Sequence, residues 1–163
     1  MTTELSRPFL IDRVADGTRV QVEADAGERA AVAARMGLPA IAQLSCGYVL
    51  REGMRGVVLA RGMLRARVTY GCVVSLEPFE AEIEENFAVR FVPEGQESEE
   101  LELDAEDEIP YRGAVIDLGE ATAEQLALAL DPFPRKPAAA LPAHVRDVTG
   151  PFAALARLKG GQA

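Results

Sequence analysis

The sequence predicts an α+β domain: a bent, mostly antiparallel sheet or partly open barrel, with two short helices and a C-terminal helical tail. Three observations point there. Apolar and polar residues alternate with period two from Thr18 to Ala24 and, at greater length, from Phe79 to Phe91. Two stretches of helical periodicity carry capping-box spacings at Asp25/Glu28 and Thr122/Gln125. Between the first helix and the long strand, Gly47, Gly53, Gly56, Gly62 and Gly71 punctuate β-branched and aromatic runs.

In chain order, Phe9 to Val14 is expected to pair with Thr18 to Ala24 across an Asp16-Gly17 turn, because that dipeptide suits a hairpin. Asp25 then caps an alanine-rich helix that Gly37 and Pro39 stop. Residues 40 to 92 read as mostly β. In the last of these strands Phe79, Ala81, Ile83, Phe87, Val89 and Phe91 alternate with Glu80, Glu82, Glu84, Asn86 and Arg90, as an antiparallel sheet with one wet face requires. Tyr111 to Leu118 reads as one further strand, followed by a helix from Thr122 to Asp131-Pro132, with Leu126, Ala129 and Leu130 on its apolar side.

The expected organisation is a single α+β domain over residues 1–131, with an acidic flexible insertion at 94–108, followed by a proline-rich linker and short C-terminal helix over 132–163. That last helix carries Phe152, Leu155 and Leu158 on one side of two turns, too few to be stable alone. It is expected either to cover a bare sheet face or to enter a partner's groove.

The 163 residues carry a net charge of −9, and the excess is local. Residues 94–108 hold nine acids and no base, leaving 17 acids against 17 bases elsewhere. Such a segment repels phosphates and solvates itself, so contact with a nucleic acid must avoid it. Cys46 and Cys72 lack a pair spacing, which suits a reducing compartment. The longest charge-free run, residues 36–50, is shorter than the roughly 20 residues of a spanning helix. A cytoplasmic location without membrane contact is expected.

Arg61, Arg65 and Arg67 lie in a stretch free of acids between Glu52 and Glu77. On a strand they share a face, and with Tyr70 nearby they are candidates for RNA binding: arginines on phosphates, the ring on a base. Equally, they can pair across strands with the glutamates of the Phe79 strand. Catalytic patterns are absent. The single histidine, His144, sits among prolines, and no phosphate loop, metal-ligand spacing or defined carboxylate pair occurs. No enzyme activity, cofactor or small-molecule substrate is expected.

Taken in order, the segments ERAAVAARMGLPAI, RARVTYGCVVSLEPFEAEIEENFAVRFVP, IDLGEATAEQLALALDPFPRKP and GPFAALARLK resemble the YceD family, linked to accumulation of large-subunit ribosomal RNA. On that resemblance Cys72 matches the first cysteine of the family's Cys-x-x-Cys-Leu-x-Pro segment, and Leu76, Glu77 and Pro78 match its Leu-x-Pro end. Ser75 stands where the family has its second cysteine, and PFPRKPAAALP lacks the cysteines that many members carry after the last helix. One thiolate cannot build a structural zinc tetrahedron, so no metal is expected. Asp117 matches as well and is read as structural, satisfying polar groups at a strand-to-helix junction.

The resemblance implies a non-catalytic factor supporting synthesis, processing or stability of the large-subunit (23S) ribosomal RNA, or ribosome assembly, by binding. Expected partners are a ribosomal protein or assembly factor and the large-subunit rRNA itself. The alternative is a protein-interaction adaptor that engages a basic ribosomal protein without touching RNA, with Phe152, Leu155 and Leu158 as candidate partner-binding residues.

Overall fold

The computed structural model describes residues 3–98 and 105–140. Among them, β1 (Pro8–Leu10), β2 (Thr18–Glu23), α1 (Ala26–Met36), β3 (Ala40–Glu52), β4 (Val58–Gly71), β5 (Pro78–Pro93), β6 (Asp107–Tyr111), β7 (Val115–Asp117) and α2 (Leu118–Ala129) occur in that order. They form an α+β fold. A five-stranded sheet runs β2-β3-β4-β5-β6, and β1 and β7 make a separate two-stranded sheet. Neither sheet closes into a barrel. Every pairing is antiparallel except β5 with β6.

The long central hairpin results from strict alternation. In β4 the even-numbered residues Val58, Ala60, Leu64, Ala66, Val68 and Tyr70 are buried, while Arg61, Met63, Arg65 and Arg67 face out. Opposite them, Val22 from β2 and Leu44, Cys46, Tyr48 and Leu50 from β3 point into the same core, together with Val89 and Phe91 from β5. Both helices lie over this inner face. α1 has the expected capping box, with Asp25 accepting from the Glu28 amide at 2.8 Å and Glu28 accepting from the Asp25 amide at 2.9 Å, and it ends on Gly37 at φ +68°. Arg7 clamps the N-terminal end of α1 by donating to both Glu28 oxygens, at 2.7 and 2.8 Å.

Four local expectations are corrected. First, Phe9 to Val14 does not form a hairpin with β2: the chain turns through a 3-10 turn at Ile11–Arg13, and β1 pairs instead with β7, Phe9 facing Ile116. Second, residues 111–118 are two strands in different sheets, separated by a turn at Gly113, φ +68°. Third, α2 starts at Leu118 with Asp117 as its cap. Thr122 is buried inside that helix, its hydroxyl donating to the Leu118 carbonyl at 2.7 Å, so its capping pattern is not used.

Fourth, Gly47 and Gly62 lie inside strands rather than in turns. Gly62 is required by packing: the Phe87 ring from β5 lies over it, and a Cβ there would fall 2.2 Å from the ring. Phe87 in turn meets Tyr48 edge-on, with centroids 5.8 Å apart. The acidic insertion also proves structured at its exit. Asp107 and Glu108 begin β6, which runs parallel to β5 at Val89–Pro93. His144 and the Phe152/Leu155/Leu158 tail lie outside the described residues.

Candidate interaction surfaces

The exposed face of the five-stranded sheet presents its side chains in rows set by strand register. One row contains Arg19, Val49, Arg61 and Ala88; the next contains Gln21, Gly47, Met63 and Asn86; then come Glu23, Ser45, Arg65 and Glu84. Arg65 and Arg67 each meet a glutamate of this chain. Arg65 pairs with Glu84 at 3.5 Å and Arg67 with Glu82 at 3.0 Å, each from the neighbouring strand. Arg61 lies opposite Ala88 and, like Arg19, has no carboxylate within 4 Å among the described residues.

Tyr70 belongs to the other face. It is 6% exposed, tilted against Phe79, and its hydroxyl accepts from the Asp131 amide at 3.0 Å. Strand parity separates it from the arginines, so its ring cannot stack on a base beside them. Two further arginines of the sheet are also paired. Arg51 pairs with Asp16 and Arg90 with Glu108, at 3.3 Å for the latter. A shallow cavity of about 360 Å³ lies between Arg51, Val49 and Arg61, and Glu106, from the acidic segment, forms part of its wall. This brings a carboxylate to the Arg61 end of the sheet.

Cys72, directly after β4, is 1% exposed. The chain then reverses: the Leu76 amide donates to the Cys72 carbonyl and the Cys72 amide to the Glu77 carbonyl, both at 2.9 Å, with Leu76 at φ +61°. Residues 132–136 dock on this loop. Val73 donates to the Pro134 carbonyl at 2.9 Å, Lys136 reaches Glu77 at 2.9 Å, and the Lys136 amide points at the Cys72 sulfur at 3.3 Å. The Ser75 amide adds a second N–H at 3.4 Å. Burial alone raises the pKa of this thiol. Hydrogen bonds from the Ser75 side chain and from the Ser75, Lys136 and Val74 backbone outweigh burial and bring it down to about 6.

This donor set does not fit a zinc ion. The Ser75 and Lys136 amides, not further metal ligands, face the sulfur, and among the described residues no three His, Cys, Asp or Glu side chains converge. The same loop carries Leu76 at 84% exposure and Val73 half exposed, and the docked segment carries Phe133 at 71%. Glu77 and Pro78 complete the loop and begin β5.

Asp117 joins the N-terminal segment to α2. Its Oδ1 accepts from the Arg7, Gly119 and Glu120 amides at 2.8, 2.9 and 3.1 Å, and its Oδ2 from the Ser6 hydroxyl at 2.6 Å. Gly119 is needed beside it, since a Cβ there would lie 2.7 Å from the Leu5 carbonyl oxygen. Cys46 is the less reactive thiol, its pKa pushed up to about 11 by burial next to Tyr48. Burial also raises the pKa of Tyr48, whose hydroxyl shares a 2.9 Å hydrogen bond with Thr122.

Sequence reasoning missed Arg19, which strand pairing alone brings into the Arg61 row, and the docking of residues 132–136 on the Cys72 loop. The opposed parity of Tyr70 and Arg61, by contrast, was visible in the residue numbers. Among the described residues no helix is long and apolar enough to cross a membrane.

The fold and its surfaces thus define a small α+β protein with charged and apolar faces on one mostly antiparallel sheet. Residues 60–159, more than half of the chain, match the family described as large ribosomal RNA subunit accumulation protein YceD, and the chain belongs to that family. Comparison with curated proteins and with solved structures yields no match. Membership implies a role in accumulation of the large-subunit ribosomal RNA.

Proposed function

We propose that the protein supports large-subunit rRNA accumulation without catalysis, as an adaptor that binds a basic protein component of the assembling subunit rather than the RNA. The observation that carries this reading is the pairing of four of the sheet's arginines with carboxylates of the same chain. Arg51, Arg65, Arg67 and Arg90 each have a carboxylate partner, and Glu106 lines the same cavity as Arg61. An RNA backbone would have to displace these carboxylates and approach a chain of net charge −9. A lysine- and arginine-rich protein meets no such barrier, and the same charge speeds its encounter.

The test is a tagged pull-down from cell lysate with and without RNase, at low and moderate salt. The adaptor reading expects large-subunit proteins to remain after RNase and to leave as salt rises. Loss of all ribosomal material on RNase treatment would defeat it. One observation favours direct RNA contact as the second reading: Arg19 and Arg61 share a row without an ion-pair partner among the described residues. Reversing both to glutamate distinguishes the two, because only the RNA reading expects weaker and less salt-dependent rRNA binding.

A further inference from the structure

β5 is longer than its neighbour on one side. β4 pairs with it along nearly its whole length, from Pro78 opposite Gly71 to Phe91 opposite Val58, but β6 covers only Val89–Pro93. Over residues 78–88, about 35 Å of strand, the second edge of β5 has no ladder partner among the described residues. Its backbone N–H and C=O groups on that side are an open template for another strand.

The side chains along this edge select what can join it. Phe79, Ala81 and Ile83 are half-buried, with apolar surface left for a neighbour. Glu80, Glu82 and Glu84 line the outer face, and Glu85 occupies an inner-face position opposite Leu64 yet stays exposed. Glu80 and Glu85 have no cation within 4 Å among the described residues. A second copy of the chain adding here would set glutamate against glutamate along the ladder, and an inward-pointing charge such as Glu85 is a general device against such pairing. A cationic strand meets the opposite situation. Its backbone satisfies the free edge, alternate apolar side chains cover Phe79 and Ile83, and the intervening lysines or arginines face the glutamates.

We propose that the free edge of β5 over residues 78–88 binds an extended, lysine- and arginine-rich segment of a protein partner by strand addition. This rests on the adaptor reading and names its contact surface. The probe is a twelve-residue peptide alternating lysine or arginine with valine. Its control has the same composition but alternating L and D residues, which keeps the charge and cannot form an ordinary ladder.

Both are titrated into the isotope-labelled full chain, with amide hydrogen exchange read residue by residue. The all-L peptide is expected to slow exchange within residues 78–88 by about tenfold or more while the control leaves it unchanged. The double variant Glu80→Lys/Glu85→Lys, which disturbs no ion pair among the described residues, is expected to weaken all-L binding at least tenfold. Equal binding of the two peptides, protection confined to another region, or undiminished binding by the double variant would overturn the proposal. So would an edge already protected in the free chain, or one protected by an rRNA fragment instead of the peptide. Retention of ribosomal proteins after RNase alongside an unprotected β5 would overturn only the edge assignment and leave the adaptor reading standing.

Discussion

Replacing Asp117 by alanine tests whether this family-motif residue is structural, and its cost can be assembled from its contacts. The carboxylate accepts from the Gly119 and Glu120 amides as the cap of α2. Losing a cap costs about 1 kcal/mol, within a range of roughly 0.5–2. The same side chain holds the partly buried Arg7 amide at 2.8 Å, and stranding that donor costs about 1–3 kcal/mol. The Ser6 hydroxyl bond is exposed and adds little. The expected loss is therefore about 2–4 kcal/mol, a large share of a small domain's stability. Asp117→Asn keeps an acceptor at Oδ1 and is expected to lose about half as much. Urea unfolding of the three proteins measures this, provided that the m-value stays constant. A change under about 0.5 kcal/mol for the alanine variant would refute the structural assignment and make Asp117 a candidate for partner contact.

Three other substitutions probe separate parts of the fold. Gly62→Ala forces the Phe87 ring off the sheet and away from Tyr48; a loss of about 1–3 kcal/mol by urea unfolding is expected, and Gly62→Ala/Phe87→Ala should relieve the clash component. Cys72, with its folded pKa lowered to about 6, contributes stability that is full above the unfolded thiol value and disappears as pH falls through 6. Thermal melts in reductant should therefore rise from pH 6 to 9 in the native chain, less so in Cys72→Ser, and should not respond to a chelator. Glu28, held down to about 2 first by the Arg7 hydrogen bonds and then by the Asp25 amide, contributes stability above its unfolded pKa that is lost between about pH 4.5 and 2. Discounted for its partial exposure, this amounts to roughly 1 kcal/mol, and Glu28→Gln should flatten that acid limb.

The features legible in the sequence were local or periodic. The Asp25/Glu28 box needs only residues three apart, and the alternation of β4 and β5 reflects a sheet with one buried face. Long-range choices were not legible. Nothing within Phe9 to Val14 indicates that its partner is Ile116, on a strand more than a hundred residues away. Thr122 matched a local capping pattern, but the helix begins at Leu118 because Asp117 offers a better-connected cap tied to Arg7 and Ser6. Gly62 read as a turn because the Phe87 ring that requires it comes from another strand. The same limit applied to the surfaces: the arginine stripe and its option of pairing with the glutamates of the Phe79 strand were visible, but which glutamate meets which arginine depended on a register that only the folded sheet defines.

The most direct test of the central claim uses purified components. The full chain, fluorescently labelled, is titrated with naked large-subunit rRNA fragments and, separately, with individual basic large-subunit proteins at about 0.15 M salt, where steering is already screened beyond a Debye length of roughly 8 Å. An adaptor shows saturable, salt-sensitive binding to at least one such protein and no binding to the RNA. Saturable binding to the RNA that is lost on reversing Arg19 and Arg61, with no protein bound, would contradict that reading.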